Sequence, residues 1–173
     1  MGEVKLLEYN REWVLLFKRE EELLRSILEN IAVAVEHIGS TSVPGLAAKP
    51  CIDIAVGVRG LAELTEHHIM QLNQAGYEHV EHAEFPHRRF FRKGEWRAGT
   101  HHVHVYEFGT RYWQDNLLFR DHLRNNKEDR NLYIALKRTL AQQFPNDRAG
   151  YTAAKHPFIE EILTKARQSV SHN

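Results

Sequence analysis

Residues 36–54 have the sequence EHIGSTSVPGLAAKPCIDI. A loop rich in glycine, serine and threonine lies here between two apolar runs, 31–38 and 51–58, which both predict β-strands. Asp53 is a lone carboxylate inside the second run. Hydroxyl groups, backbone N–H groups made accessible by glycine and the amine of Lys49 suit a phosphate, and a fixed aspartate suits the metal ion that accompanies one. The stretch therefore indicates an α/β protein with nucleotide chemistry.

The motif EHIGSTSVPGLAAKP, followed by an apolar strand that carries Asp53, resembles the GrpB family within the nucleotidyltransferase-fold superfamily. The resemblance covers nearly the whole chain. The later matching segments are His102-Val103-His104-Val105, Phe119-Arg120-Asp121-His122-Leu123-Arg124, Tyr133 with Leu136-Lys137, and Asp147-Arg148 with Tyr151-Thr152 and Lys155. The resemblance implies an α/β (α+β) fold with a nucleotidyltransferase-like mixed β-sheet, flanking helices and a helical C-terminal third. GrpB-like domains also occur fused to dephospho-coenzyme A kinase, which implies a link to coenzyme A or adenine-nucleotide metabolism.

Length and charge limit the class of protein. The 173 residues fit a single domain, 1–173, because no linker or low-complexity tract divides them. Acidic and basic side chains balance at 23 each, which argues against a broad nucleic-acid-binding surface. No apolar run approaches membrane-spanning length and the N-terminus lacks a signal-peptide core, so the expected location is the cytoplasm, with no membrane partner. The sequence leaves the oligomeric state open.

Hydrophobic spacing predicts most of the secondary structure. Trp13, Phe17, Leu24 and Leu28 repeat at helical spacing, and Asn10 can cap that helix. The other predicted elements are a single helical turn at 46–49, a helix at 60–75 with Gly76 as its C-terminal cap, strands at 77–80, 89–92 and 102–106, and helices at 111–124, 129–144 and 157–167. This order agrees with the α/β plan that the resemblance implies.

Strand parity predicts the surroundings of Asp53. Alternate side chains of a strand point to opposite faces, so Asp53 shares a face with Cys51, Ala55 and Gly57. These small residues could leave room for a ligand above the carboxylate, with Ser40 and Ser42 arriving from the preceding loop. The same face could instead pack beneath a helix, with Asp53 accepting hydrogen bonds from loop N–H groups. Cys51 is the one cysteine of the chain, and its apolar setting predicts a buried, inert thiol.

The superfamily pattern suggests roles for these residues. It pairs a glycine with a serine, which Gly39 and Ser40 match. It also places two carboxylates one residue apart, of which only Asp53 is present here. The second position is Ala55, and because alanine cannot ligate a metal, the sequence departs from the usual two-metal arrangement.

Two histidines offer substitute ligands. His102 and His104 are two residues apart on a predicted strand and could lie beside Asp53. Magnesium or manganese is the expected divalent ion, and zinc is favoured if the histidines ligate. A histidine here could equally act as a general base, since its reference pKa is about 6.5. The alternative is that two of the twelve histidines stand together by chance, as partly buried polar side chains.

Basic residues could supply positive charge to a phosphate site. One group flanks Phe90-Phe91 and predicts either a nucleotide or nucleic-acid contact or, as we favour, a solvated strand edge; it comprises Arg88, Arg89, Arg92 and Lys93. A second group lies in the later segments that match the family and could reach the site or form ion pairs; it comprises Arg120, Arg124, Lys137, Arg148 and Lys155. The sequence does not separate the members of either group.

The resulting hypothesis is a nucleotidyltransferase-like protein that binds a nucleotide, or a small molecule containing one, together with a divalent metal. The alternatives are a non-catalytic nucleotide-binding module, which Ala55 favours, and a metal-dependent hydrolase. The assigned residues are Asp53, Ser40 and His104 for catalysis, Gly39, Ser40, Thr41, Ser42 and Lys49 for the nucleotide, and Asp53, His102 and His104 for the metal.

Overall fold

The computed structural model describes residues 5–95 and 98–171 and contains a five-stranded mixed sheet flanked by helices. The helices are α1 Glu12–Ile27, α2 Glu66–Gln74, α3 Arg111–Asn125, α4 Lys127–Gln143, α5 Arg148–Ala154 and α6 His156–Ser171. The strands are β1 Ala32–Ile38, β2 Ile52–Val58, β3 Tyr77–Val80, β4 Arg88–Glu95 and β5 Ala98–Glu107. Across the two described ranges, no helix has the length and apolar character needed to cross a membrane. The predicted mixed sheet and helical C-terminal third are confirmed.

The strand order of the sheet is β1-β2-β5-β4-β3. β2 and β5 run parallel, whereas the other neighbouring strands are antiparallel. In the register between β2 and β5, Asp53 is opposite His102 and Ala55 is opposite His104. Partners in a ladder point to the same face, so the carboxylate and both imidazoles share one side of the sheet.

The main hydrophobic core lies on the opposite face. Ile52, Ile54, Val56 and Val58 of β2 are at most 1% exposed and pack in one cluster with α1. α1 contributes the predicted stripe of Trp13, Phe17 and Leu24, and Leu28 follows at its end. Each fully buried side chain of this size contributes about 1.5–3 kcal/mol of hydrophobic stabilisation. The apolar run and the helical stripe therefore place β2 and α1 against each other.

The face of β2 that carries Asp53 is covered along only part of its length. Trp113 of α3 packs with Ala55, and a side chain at Gly57 would collide with Phe108 and Trp113. Asp53 lies beyond this cover, near the beginning of the strand, and its side chain keeps 29% exposure. The small residues of this face therefore pack beneath a helix at Ala55 and leave space at Asp53.

The conformation of the loop after β1 depends on Gly39 and on backbone hydrogen bonds to a segment near the N-terminus. Gly39 has a φ of 71°, in the left-handed region that favours glycine, and a 3-10 helix follows at Ser40–Ser42. The predicted helical turn at 46–49 is wrong. Ala48 instead exchanges two backbone hydrogen bonds with Leu7, 2.8 and 2.9 Å long, as an isolated antiparallel bridge. This pairing requires extended backbone at Ala48. The spacing of residues within the loop does not predict the pairing, because its partner is far away in the sequence.

The predicted helix at 60–75 is shorter than expected. A 3-10 helix at Leu61–Glu63 comes first, and α2 begins only after Thr65. Thr65 and His68 form a reciprocal capping box, which stops the helix from extending toward its N-terminus. Gly76 has a φ of 90°, as expected for a glycine that ends a helix.

Other helix boundaries differ by a few residues because caps decide them. α1 begins at Glu12, whose N–H donates to Asn10 Oδ1 across 2.9 Å, so Asn10 caps the helix from one position further out than expected. α4 begins at Lys127 rather than at residue 129, with Asn126 as its cap. The sequence does not predict α5, because its seven residues give too short a pattern for periodicity.

The predicted solvated edge at β4 is wrong, since β4 lies between β3 and β5. Arg92 forms an ion pair with Glu78 at 2.7 Å, and Lys93 forms one with Glu20 at 2.9 Å. Phe91, which precedes Arg92, is fully buried in the core. These two basic side chains hold neighbouring elements together.

Candidate functional site

A cavity of about 280 Å³ opens beside Asp53. Its walls come from the loop after β1, the beginning of β2, β5, α4 and the segment around α5. The charged and hydroxyl side chains that line it include Ser40, Lys49, Asp53, His102, Lys137 and Lys155. The loop and the beginning of β2 form one continuous stretch, so four separate stretches of sequence meet at one opening.

Two histidines of β5 hold the carboxylate of Asp53. His102 Nδ1 lies 3.1 Å and His104 Nε2 lies 3.5 Å from Asp53 Oδ1. Burial by itself raises the pKa of Asp53, but the hydrogen bonds and charges of the two histidines outweigh it and hold that pKa well below its usual range. An ionised carboxylate therefore faces the cavity at neutral pH.

His104 lies deeper than His102. Its side chain is 15% exposed, against 36% for His102, and Arg88 Nη1 lies 3.3 Å from its Nδ1. Burial lowers the pKa of His104, and the charge of Asp53 partly offsets that effect. His102 lines the cavity, whereas His104 contacts Asp53 from within the sheet. The sequence places both histidines beside Asp53 but does not distinguish these two positions.

Two features require a glycine at position 39: the positive φ of its backbone and the close approach of that backbone to Asp53. A Cβ atom on Gly39 would lie 2.7 Å from Asp53 Oδ2, closer than real Cβ contacts allow. The glycine therefore combines a positive φ with close approach of the loop backbone to the carboxylate. This contact keeps Ser40, the next residue, at the rim of the same cavity.

Lys137 links the helical third of the chain to the loop. Its side chain is nearly inaccessible, and its Nζ donates a hydrogen bond to Ser40 Oγ across 3.0 Å and another to the carbonyl of Ala47. Burial lowers the pKa of Lys137 to about 7, and the positive charges of Lys155 and Lys49 add to this effect. A lysine in this position is poised between its charged and neutral forms.

Lys49 and Lys155 complete a group of three lysines, which we call the lysine triad: Lys49, Lys137 and Lys155. Nζ of Lys155 and of Lys49 lie 4.6 and 5.5 Å from the ring centroid of Tyr151. Burial and the nearby charge of Lys49 lower the pKa of Lys155 to about 8, and burial also lowers that of Lys49. Within residues 5–95 and 98–171, no member of the triad forms an ion pair with a carboxylate. The triad thus presents positive charge that an anion could balance.

The residues predicted to bind phosphate divide into two groups. Ser40 and Lys49 turn toward the cavity, as does part of Thr41. The hydroxyls of Thr41 and Ser42 are used inside the loop: Thr41 Oγ1 donates to the carbonyl of Cys51 at 3.3 Å, and Ser42 Oγ donates to that of Gly39 at 2.5 Å. Ser42 is 4% exposed. These two hydroxyls stabilise the loop conformation.

The five basic residues of the later segments also divide. Lys137 and Lys155 reach the cavity, and Arg148 lines an adjoining one of about 310 Å³. Arg120 instead pairs with Glu36 at 2.7 Å, and Arg124 donates to the carbonyl of Ser42 at 2.8 Å. The two arginines therefore brace α3 against β1 and the loop. Only the packing of the helices, which the sequence does not specify, separates these roles.

Residues at the floor of the cavity could hold one metal ion. Cys51, Asp53 and His102 each offer a ligand atom, and the three atoms lie within 4.8 Å of one another. Cys51 is half-buried and faces the cavity, so the prediction of a fully buried thiol is wrong. Burial and the charge of Asp53 raise its pKa, which agrees with the predicted inertness. Ala55 is fully buried beside Trp113 and adds no ligand. The donor set fits a single ion and does not fit a two-magnesium arrangement.

Comparison of sequences identifies a matching family model and related proteins. The family model described as "GrpB protein" matches residues 3–165. The glutamate-rich protein GrpB of Alkalihalophilus pseudofirmus is 35% identical over 167 residues, which cover 95% of this chain and 96% of that protein. A dephospho-CoA kinase of Mycolicibacterium paratuberculosis is 30% identical over 187 residues, which cover 94% of this chain but 46% of the kinase.

Comparison of structures extends the similarity to more distant proteins. The crystal structure of the conserved protein GrpB from Enterococcus faecalis is 38% identical, has a TM-score of 0.89, and matches over 96% of this chain and 99% of that one. Cid1 poly(U) polymerase with bound Mg 3′-dATP has a TM-score of 0.55 at 13% identity, over 78% of this chain and 43% of that one. The second likeness shows that the fold is related to that of nucleotidyltransferases.

Proposed function

The chain belongs to the GrpB family, and we propose that its cavity binds the phosphate groups of a nucleotide, or of a small molecule containing one, for metal-assisted nucleotidyl transfer. The observation that carries this proposal is the convergence of the lysine triad with Ser40 and Asp53 on one opening. A site with surplus positive charge, a serine hydroxyl and a single carboxylate matches a phosphate chain accompanied by a cation.

The lysine triad in the cavity favours a ligand that carries several negative charges. Burying lysines without carboxylate partners is unfavourable, as their lowered pKa values reflect. A bound phosphate chain would stabilise the charged form of each lysine and accept its hydrogen bonds. The adjoining cavity shares Lys49, Cys51 and His102 with the first, so a ligand larger than a phosphate could occupy both. Together the two volumes suit a nucleotide-sized molecule.

The proposed chemistry assigns a task to each side chain. The lysine triad would hold the phosphates and stabilise the charge that develops on the departing pyrophosphate. Ser40 would orient a phosphate oxygen, with its own hydroxyl fixed by Lys137. Asp53 and His102 would hold the cation, and His104 would keep the carboxylate in place. When bound, a divalent cation supplies charge neutralisation and makes the acceptor hydroxyl more acidic.

A second candidate function is a non-catalytic nucleotide-binding module. The specific observation that favours it is Ala55, which is fully buried where the superfamily pattern has its second carboxylate. Such a module would keep the lysine triad for recognition and lack turnover. The similarity to one part of a dephospho-CoA kinase supports including coenzyme A and dephospho-coenzyme A among the ligands tested.

Labelled nucleoside triphosphates incubated with divalent metals and a mixture of hydroxyl-bearing acceptors test the proposal. For nucleotidyl transfer we expect pyrophosphate release and label in an acceptor, both abolished by Asp53→Asn. The matched control is Asp115→Asn, because Asp115 lies on α3 and pairs with Arg167 away from the cavity. Nucleotide binding without turnover would support the module instead.

Calorimetric titration with the same nucleotides and coenzyme A measures binding independently of turnover. If none of these compounds bound, or if their affinity were indifferent to substitution of the lysine triad, the proposed function would be wrong.

A further inference from the structure

The floor of the cavity carries three different donor elements. Cys51 offers sulfur, Asp53 offers oxygen and His102 offers nitrogen, all within 4.8 Å of one another. Cys51 immediately precedes β2 and lines the same cavity as Asp53, and His102 is the ladder partner of Asp53 on β5. Zinc lies about 2.0–2.3 Å from such ligands, so a small contraction of the three side chains would close around an ion.

From this arrangement we propose that Cys51, Asp53 and His102 bind zinc or another thiophilic divalent ion in preference to magnesium. The inference deepens the proposed function, because it identifies the ion of the same cavity. Sulfur and imidazole nitrogen are ligands that zinc accepts readily, whereas magnesium takes oxygen ligands. Three protein ligands leave one tetrahedral position open, as catalytic zinc sites do, and here that position can receive an oxygen of a phosphate.

The charges of the site support this choice of ion. Zinc binding displaces the thiol proton of Cys51 to solvent as the sulfur–zinc bond forms, so the ligands then carry two negative charges from Cys51 and Asp53. A neutral site results, which is compatible with the adjacent lysine triad. Magnesium would leave the thiol protonated and keep a net positive charge beside the lysines. His104, 3.5 Å from Asp53 Oδ1, would hold the carboxylate from behind, as outer partners of metal ligands commonly do.

Cobalt(II) substitution tests the proposal directly, since cobalt replaces zinc and absorbs light according to its ligands. Protein freed of metal by a chelator is titrated with cobalt(II) in the absence of nucleotide. We expect visible bands typical of four-coordinate cobalt and a near-ultraviolet sulfur-to-cobalt band. The chain has one cysteine, so a thiolate-to-cobalt band can arise only from Cys51. Zinc should displace the cobalt, and a large excess of magnesium should not.

Variants separate the possible results. Cys51→Ser should remove the sulfur band and weaken cobalt binding by about 10-fold or more, since loss of a ligand exceeds the effect of altering an outer partner. His101→Gln is the matched control, because His101 is the neighbour of His102 on the opposite face of β5. Failure to bind cobalt, an unchanged spectrum in Cys51→Ser, or displacement by magnesium would each overturn the proposal.

The same experiment keeps this inference distinct from the proposed function. Nucleotide affinity measured with excess chelator depends on the lysine triad and not on Cys51. Loss of nucleotide binding with an intact cobalt spectrum would contradict only the proposed function, and the reverse result would contradict only the metal site.

Discussion

Lys137 Nζ lies 3.0 Å from Ser40 Oγ, although the two residues are 97 positions apart in the chain. Lys137 also donates to the carbonyl of Ala47, so one side chain of α4 contacts both the beginning and the end of the loop. Its partners are a hydroxyl and a carbonyl, and neither neutralises a buried ammonium. A buried amine held in this way on the wall of the cavity that Asp53 also lines is the strongest physical indication of an anion site.

Lys137→Met should weaken nucleotide binding while leaving the fold intact. Loss of one charged hydrogen bond to a phosphate, worth about 1.5–3 kcal/mol, corresponds to an affinity about 10- to 150-fold lower. The free energy of unfolding should change by about 1 kcal/mol or less, because removal of a buried charge offsets the lost hydrogen bonds. Calorimetric titration and urea unfolding measure the two quantities.

Lys127→Met is the control for this variant, since Lys127 lies on the same helix and is exposed. We expect wild-type affinity and stability from it. Equal affinity of the Lys127 and Lys137 variants for nucleotide would contradict a binding role for Lys137.

The buried lysines should make the protein more stable at mildly alkaline pH. Their pKa values in the folded chain are about 7 for Lys137 and about 8 for Lys155, both below the ordinary 10.5. Between these values and 10.5 the unfolded chain binds more protons, so the free energy of unfolding rises with pH. The rise is at most about 1.4 kcal/mol per pH unit for each lysine. Urea unfolding across about pH 7 to 9 measures it, and Lys137→Met should flatten the slope.

Nucleotide affinity should follow the opposite trend. Binding of a phosphate chain favours the protonated lysines, so affinity should fall as pH rises through the pKa values of Lys137 and Lys155. Proton uptake on binding, measured by calorimetry in buffers of different ionisation enthalpy, reports the same event. An affinity that increases with pH over this range would exclude the triad as the phosphate ligand.

The sequence predicts the sheet and the position of Asp53 well, for physical reasons. The apolar residues of 51–58 alternate with small ones, and this pattern correctly places Ile54 in the core and Asp53 on the other face. The spacing of His102 and His104 likewise places both rings beside Asp53. These features depend on the regular alternation of side chains between the two faces of a strand, which can be read directly from the sequence.

Contacts between distant segments could not be predicted in this way. Five basic residues in matching segments look equivalent in the sequence, yet Lys137 and Lys155 line the cavity while Arg120 pairs with Glu36. The helical packing that separates them is a property of the assembled fold. The bridge between Leu7 and Ala48 was missed for the same reason, because no local pattern encodes it.

Gly39→Ala should be strongly destabilising and should disturb the site. The new Cβ would meet Asp53 Oδ2 at 2.7 Å in addition to the strain of a positive φ, for a total of about 3 kcal/mol. Gly109→Ala is the control, since Gly109 has a φ of 78° with nothing within 4 Å of a Cβ. It should show the backbone strain alone, about 1 kcal/mol. Equal denaturant midpoints for the two variants would show that a Cβ atom at residue 39 does not clash with Asp53.

Ala55→Asp tests whether the missing second carboxylate can be restored. Ala55 is fully buried against Ile38, Tyr106 and Trp113, so an ionised side chain there would lose its hydration and should destabilise the fold by about 3 to 5 kcal/mol. Ala55→Asn has the same size without the charge and should be less harmful. We expect no gain in magnesium affinity from Ala55→Asp, because α3 covers that position. Magnesium-dependent turnover in a stable Ala55→Asp protein would show instead that the site needs only this one residue to become a two-metal centre.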